Sequence, residues 1–343
     1  MQSKIKKLVL KSEFLSFFLI TVFCVIFSVM NPVFFSPLNL SNLIMASAVP
    51  AMFACAVMMV LISGGIDLSF MWIGMFAAYS TSMIFSLQQI NNGLIVPIIV
   101  IFLVCIAFGA VLGSFNGLLV SKLKVPIFVV TLSTANIFMG VMFQFVGHNY
   151  IFPSDMPVSM INFSNTRVLG WYAPGSTMII GGIHASVFVA TAVVLIIHFL
   201  MKYTTLGRSI YALGGDVSSA ERVGLNLTRV RSLLFIIAGA VAGLTGAVGV
   251  ANVQVANPFD FQGRELTVIA AVVIGGTRIT GGKGSVLGVV LGVLLTTILS
   301  QNLILIGVRP QYNQLVFGLL ILVAIIVQAI QEKTRNRGGG ISL

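Results

Sequence analysis

Residues Tyr203 to Arg231 read Tyr-Thr-Thr-Leu-Gly-Arg-Ser-Ile-Tyr-Ala-Leu-Gly-Gly-Asp-Val-Ser-Ser-Ala-Glu-Arg-Val-Gly-Leu-Asn-Leu-Thr-Arg-Val-Arg. This is a polar, cationic interruption in a chain that is otherwise apolar. Across its 343 residues, 58% are hydrophobic, only 8% are charged and the mean hydropathy is +1.08. Soluble domains carry roughly 25% charged residues. Several apolar runs on either side reach the ~20 residues that a helix needs to cross a ~30 Å hydrocarbon core. Those runs are continuous and do not alternate, which excludes an outer-membrane barrel. The expected fold is therefore an all-α polytopic membrane protein, and the interruption is a segment presented to the aqueous phase.

The spacing of the apolar runs predicts about ten transmembrane helices, near 14–30, 42–63, 68–87, 94–120, 126–146, 176–200, 232–253, 267–276, 284–306 and 313–330. The eighth is expected to start within Asp260–Leu266 and to run past Gly276. Nineteen lysines and arginines are present. With the N-terminus inside, all but Arg167, Arg264 and Arg309 fall in cytoplasmic loops, the asymmetry of the positive-inside rule. Both termini are then cytoplasmic. The net charge of +11 reflects that loop bias and does not indicate a nucleic-acid partner. The expected organisation is a single transmembrane domain over 1–343. It has a cytoplasmic N-terminus (1–13), an external loop (147–175) able to cap a pore mouth, a cytoplasmic loop (202–231) and a basic, Gly-rich tail (331–343). The N-terminal run lacks a small-x-small cleavage pattern and reads as a retained helix.

Within the interruption, Val217–Gly224 can form a short amphipathic helix, with Asp216 or Ser218 as N-cap and Gly224 beyond its C-terminus. Leu206, Ile210, Tyr211, Val223 and Leu225 supply apolar anchors. Such a helix fits a groove on a partner; an ordinary solvated loop is the alternative. Upstream, Ser63-Gly64-Gly65-Ile66-Asp67-Leu68-Ser69 breaks a long apolar run. Paired glycines favour a break, and Asp67 stands where a helix N-cap is wanted. A structural cap, a role in substrate passage and proton coupling remain open for it. Downstream, Ile274-Gly275-Gly276-Thr277-Arg278-Ile279-Thr280-Gly281-Gly282-Lys283-Gly284-Ser285 superficially resembles a phosphate loop. Thr277 stands where that motif needs its first Gly, and Gly284 replaces its Ser/Thr, so a tight cytoplasmic turn is expected. Any ATPase must then reside on another chain. Glycine ladders at Gly109/Gly113/Gly117, Gly239/Gly243 and Gly284/Gly288/Gly292 predict close helix packing. Cys24, Cys55 and Cys105 lie in apolar runs with no metal spacing, and His148, His184 and His198 read as hydrogen-bonded or interfacial side chains. No catalytic residues, metal site or cofactor is expected.

Together, Ser63–Ser69, Thr205-Leu206-Gly207-Arg208-Ser209-Ile210-Tyr211-Ala212-Leu213-Gly214-Gly215 and Ala270–Thr277 followed by Gly281–Gly284 resemble the permease subunits of bacterial ATP-binding-cassette sugar importers. The similarity is to the ribose, xylose, galactose and autoinducer-2 type, over roughly residues 14–330. The resemblance implies an inner-membrane, multi-pass subunit that works by alternating access. A second permease copy or paralogue, a cytoplasmic ATPase pair and a periplasmic sugar-binding protein are its implied partners, with lipid around it. It maps the coupling helix onto Val217, Ser218, Ser219, Ala220, Glu221, Arg222, Val223 and Gly224, supported by Arg208. Only Ala220 and Gly224 match the Glu-Ala-Ala-x-x-x-Gly pattern of other importers. Ser69, Asn116, Thr131, Ser133, Thr134 and Asn136 are candidate polar groups along the passage, beside the break at Gly64, Gly65 and Asp67. Gly275, Gly276, Thr277, Gly281, Gly282 and Lys283 form the cytoplasmic turn. Phe70-Met71-Trp72 stands where relatives commonly carry small residues, and such bulk could reshape the path. A self-sufficient secondary transporter and a passive channel are the rival readings, and neither needs a coupling helix.

Overall fold

The computed structural model describes residues 12–305, save 94, 124 and 173–178, together with isolated positions between 307 and 326. Its helices are α1 (Ser12–Met30), α2 (Pro37–Ile62), α3 (Phe70–Asn92), α4 (Ile98–Leu123), α5 (Ile127–Val141), α6 (Val158–Asn165), α7 (Ala185–Tyr203), α8 (Thr205–Gly215), α9 (Val217–Arg222), α10 (Leu227–Val253), α11 (Glu265–Ile274) and α12 (Val286–Leu305). A π-helical turn, Met142–Val146, extends α5. Among the described residues, six helices are long and apolar enough to cross a membrane, and α1, α3 and α11 contain shorter apolar stretches. The molecule is a polytopic helical membrane protein. The expected tenth helix (313–330) and the tail (331–343) lie largely or wholly outside the described residues.

The core is built on α2 and α10. In α2 every residue from Ala51 to Ile62 is buried. A helix apolar on all sides and buried this fully must be surrounded by other helices rather than by lipid. The glycine ladders explain how α10 gets close enough to its neighbours. A Cβ placed on Gly239 would lie 2.3 Å from the Gly109 carbonyl oxygen, and one on Gly109 would lie 2.1 Å from that of Gly239. The two ladders therefore face each other inside one chain, backbone against backbone. Gly239→Ala is expected to destabilise the fold by about 1–3 kcal/mol, because neither backbone can step aside without strain. A detergent melting curve on purified protein checks this.

Two sequence expectations need correction. First, the chain is not purely helical. β1 (Arg167–Tyr172) and β2 (Ile179–His184) pair antiparallel, so α7 begins at Ala185, nine residues later than expected. Arg167–Tyr172 was obscured by lying in a polar, proline-rich stretch, and the apolar run at 179–184 read as the start of a helix. His184 consequently sits at the N-cap of α7, where its Nδ1 lies 2.8 Å from the Ser186 hydroxyl and its Nε2 2.7 Å from the Ser164 carbonyl. Second, α11 stops at Ile274 and does not run past Gly276. The Gly276 N–H bonds the Val273 carbonyl and the Thr277 N–H that of Val272, with Gly276 at φ 92°. That pair of bonds is a Schellman closure, which left-handed glycine favours. With 10 residues, α11 spans only about 15 Å, half a membrane. Phe70, Met71 and Trp72 are buried among the helices, with Phe70 edge-on to Phe53, Trp72 edge-on to Phe143 and Met71 at the wall of a cavity at the far end of the bundle. Their bulk fills space between helices.

The segment 147–165 is a packed cap. The Tyr79 hydroxyl donates to the Asn149 carbonyl at 2.8 Å, Ile151 and Ala256 form a β-bridge, and Met156 and Met160 are buried. It closes the end of the bundle opposite α8 and α9.

Candidate functional site

The site begins at the polar interruption. α8 starts at Thr204, whose hydroxyl accepts the Gly207 N–H at 3.2 Å. It buries Gly207, Ile210 and Leu213 and leaves Arg208 exposed. The expected anchors Leu206, Ile210 and Tyr211 thus hold α8 to its own chain. α9 follows after one residue. Asp216 is its N-cap, accepting from the Ser219 N–H at 2.6 Å and the Ser218 hydroxyl at 2.7 Å. Those bonds, the Ser218 hydroxyl foremost, hold the Asp216 carboxyl below its ordinary value. A lowered folded value means the cap's contribution is complete above the unfolded value and is lost only as pH falls through the folded one. The Asp216 cap is therefore in place throughout the neutral range. Its far end closes with the Gly224 N–H on the Glu221 carbonyl and the Leu225 N–H on that of Ala220, again a Schellman closure.

Only Ala220 of α9 is buried. Ser218, Ser219, Glu221, Arg222 and Gly224 are exposed, as are Val217 at 43% and Val223 at 77%. α9 is a short knob with two solvent-facing valines among charged and hydroxylated neighbours. Asp216→Ala is expected to loosen it, seen as faster amide exchange over 217–224 with the membrane helices unchanged. Arg208 stands apart from this knob, in a groove with His198, Lys202 and Ser285.

The three glycine-rich motifs, far apart in sequence, meet directly behind α9. α2 ends in a third Schellman closure, with the Gly64 N–H on Leu61 and the Gly65 N–H on Val60. The Ile62 carbonyl left open at that end accepts the Gly282 N–H at 2.9 Å. Gly214, in the last turn of α8, lies so close that a Cβ there would sit 1.7 Å from the Ile62 oxygen and 2.7 Å from the Gly282 nitrogen. The Tyr211 hydroxyl donates to the Gly284 carbonyl at 2.8 Å. The structure thus joins the ends of α2, α8 and α11 and the approach to α12 in one backbone junction. Gly275 and Gly276 cap α11 above it, Thr277 is fully buried, and the Arg278 N–H bonds the Lys283 carbonyl across the turn. A cavity of about 870 Å³ opens beside the junction, lined by Ser63, Gly214, Asp216, Glu221 and Arg231 among others.

The expected path residues divide into two groups. Asp67, Ser69, Asn116, Thr131 and Thr134 are all buried. The Asp67 carboxylate accepts both the N–H and the hydroxyl of Ser69, at 2.7 and 2.6 Å, just before α3. The Asn116 amide donates to the Ser69 hydroxyl oxygen at 2.7 Å. Thr131 accepts from the Leu68 N–H and donates to the Ile66 carbonyl. The break is therefore pinned to α4 and α5 by side chains, and no cation bridges Asp67 among the described residues. Ser133 and Asn136 lie elsewhere, on the exposed face of α5, each bonded to its own helix. Asp67→Asn should melt close to the wild type, since one amide oxygen can accept both Ser69 donors. Asp67→Leu leaves those donors buried without a partner and should cost about 1–3 kcal/mol in a detergent melt.

Two groups escaped the sequence reading, the hairpin β1–β2 and a lined cavity at the cap end of the bundle. Its residues (Asn252, Thr297 and Gln301 among them) are single polar side chains in apolar runs and carry no motif.

The described residues form a multi-pass helical membrane protein with an exposed, capped knob over a glycine junction. Residues 39–325 match the family described as branched-chain amino acid transport system / permease component, and the chain belongs to this family of membrane permeases. It is similar to the ribose import permease protein RbsC of Bacillus subtilis strain 168, with 34% identity over 92% of this chain and 91% of the relative. It is similar also to RbsC of Escherichia coli strain K12, with 31% identity over 89% and 90%. The galactose/methyl galactoside import permease protein MglC of Haemophilus influenzae is 30% identical over 92% and 93%. These matches agree with the resemblance read from the three motifs. No solved structure matches the chain.

Proposed function

We propose that this protein is the membrane-embedded subunit of an importer that carries a sugar or sugar-like molecule into the bacterial cytoplasm, powered by ATP hydrolysis on a separate chain. The observation that carries the reading is the junction behind α9. A partner that pushes on the exposed knob moves α8. Because the backbone of α8 touches the end of α2 and the turn at Gly281 and Gly282 between α11 and α12, a displacement of α8 bears directly on those elements. Rigid elements with close contacts are the means by which such coupling travels.

In this reading the whole chain, 1–343, forms one permease domain with ten membrane passes in the plasma membrane and both termini in the cytoplasm. The cations support that orientation: Lys122, Lys202, Arg208, Arg222, Arg229, Arg231 and Arg278 gather at the α9 end, while Arg167 and Arg264 stand at the other. The 202–231 segment is the coupling loop. Val217, Val223 and Arg222 meet the ATPase, and Gly224 sets the knob's exit. The packed cap and the exposed strand β1 face outward, toward a sugar-delivering binding protein. Two permeases, identical or paralogous, enclose the passage, to which the exposed α5 face contributes Ser133 and Asn136. The buried set around Asp67 and Asn116 holds the helix break in place beside that passage. The names of the relatives support sugar as the cargo class. The subunit needs no chemistry of its own, only differential exposure of one path to two sides.

The test is reconstitution in vesicles. The chain with its ATPase and binding protein should take up sugar on ATP addition, and the chain alone should not. Transport by the purified chain alone would overturn the reading.

A further inference from the structure

A cationic groove of about 500 Å³ lies at the α9 end of the bundle, where α7, α8 and α12 meet. His198 and Lys202 reach it from the end of α7, Arg208 from α8, and Ser285 and Leu287 from the start of α12. Lys202 and Arg208 are both exposed. Among the described residues no carboxylate lines the groove, and the only ion pair is Asp260–Arg264, at the opposite end of the bundle. The Lys202 ammonium rests instead 5.1 Å from the centre of the Tyr203 ring.

The groove stands at membrane level. α7 is one of the helices long and apolar enough to cross a bilayer, and Tyr203, its last residue, is exposed. Tyrosines gather at the headgroup level of a membrane, where the ring stays apolar and the hydroxyl wet. Leu195, Ile196 and Phe199, one to two turns further along α7, and Leu287 at the start of α12 are each 62% exposed. An apolar track thus leads away from a pair of cations that no acidic side chain neutralises. We infer that the groove binds an anionic phospholipid, with its phosphate between Lys202 and Arg208 and its acyl chains along α7. Basic pockets between membrane helices take such headgroups. A soluble partner would leave the apolar track bare, and a free phosphate would make no use of it. Lys202 and Arg208 stand on either side of Thr204, where α7 ends and α8 begins. One phosphate engaging both therefore braces α8, whose Tyr211 hydroxyl already holds the Gly284 carbonyl at 2.8 Å. The inference needs only a chain that spans a membrane and does not rest on what is transported.

The test is a lipid titration of the purified, delipidated full chain in dodecyl maltoside, read by native mass spectrometry. Dioleoylphosphatidylglycerol and dioleoylphosphatidylcholine carry the same acyl chains and differ in headgroup charge. The first should fill one site about tenfold more tightly than the second. Lys202→Gln with Arg208→Gln should weaken phosphatidylglycerol binding about thirtyfold, the loss of two cationic contacts. Lys202→Arg with Arg208→Lys should restore most of it. Lys122→Gln with Arg229→Gln removes two exposed cations at the same end but outside the groove, and should leave the tight site intact. Equal binding of the two lipids, or an equal loss in the Lys122 and Arg229 pair, overturns the inference, since general attraction to a basic chain explains either. Full displacement of the lipid by millimolar inorganic phosphate assigns the groove to a free anion and overturns it as well. Unchanged lipid binding in the Lys202 and Arg208 pair, with loss of the ATPase or of a second copy, marks a protein contact and does the same.

Discussion

Replacing Gly214 by Ala is expected to abolish ATP-driven uptake and to lower the yield of folded protein, while the same change at the adjacent Gly215 should be nearly silent. The two glycines differ only in what surrounds them. A Cβ at Gly214 would stand 1.7 Å from the Ile62 oxygen and 2.7 Å from the Gly282 nitrogen, whereas one at Gly215 meets nothing within 4 Å. The obstructing atoms at Gly214 are backbone, and the two nearest oxygen and nitrogen atoms are the acceptor and donor of the Gly282-to-Ile62 hydrogen bond. Relief requires α8 to lift off the ends of α2 and the 275–285 turn. Overpacking of this kind costs typically about 1–3 kcal/mol, occasionally more, and here it also breaks the bond that joins the elements. Gly65→Ala is an intermediate case. Its Cβ would meet the Ile127 side chain, 2.3 Å from Cδ1 and 2.7 Å from Cβ; the Cδ1 can rotate away, whereas the Cβ yields only if the start of α5 shifts. The predicted order of damage is Gly214, then Gly65, then Gly215, read from melting temperature and uptake on the same preparations. Equal effects at Gly214 and Gly215 would mean that the junction does not transmit movement.

The second large effect concerns the knob itself. Arg222→Glu combined with Val223→Asp is expected to remove uptake while leaving membrane insertion and melting temperature unchanged. Val223 is 77% exposed and Arg222 makes only local bonds to Ser218 and Ser219, so the isolated chain loses almost nothing. A partner surface would lose an apolar contact and meet a reversed charge, and like-charge juxtaposition at an interface costs several kcal/mol. Two to four kcal/mol is about thirty- to a thousandfold in affinity. Co-purification of the ATPase with wild type and variant measures this directly. Ala220→Pro should act by another route, since Ala220 is buried and its N–H bonds the Asp216 carbonyl at 3.0 Å. It should disorder the knob rather than change its surface. Normal ATPase retention by the double variant would exclude α9 as the docking element.

Much of this was legible in the sequence for simple reasons. A continuous apolar run of membrane length has few alternatives to a helix, so the first nine helices are found in the expected order with ends shifted by several residues. Gly-Gly pairs are poor helix residues, which located the break at Gly64 and Gly65 and the turn at Gly275 and Gly276. Asp216 and Gly224 bracketed α9 because capping chemistry is local. Where the expectation failed, the deciding interaction was not local. The apolar run at 179–184 pairs as a strand only because Arg167–Tyr172 lies alongside it. Ser133 and Thr134 are adjacent on α5 and were grouped together, yet one is exposed and the other buried, because which side of a helix faces its neighbours depends on the neighbours.

From its order of residues alone, the chain settles that it is mostly helical, that it lives in a membrane, and in what order its helices run, since hydrophobicity acts over a few residues. Only the folded arrangement brings Ile62, Gly214 and Gly282 into one junction, sets the Gly109 ladder against Gly239, and encloses the cavity around Asn252. Each of these depends on backbones more than sixty residues apart approaching within van der Waals distance, and such approach is fixed by how all the helices pack at once.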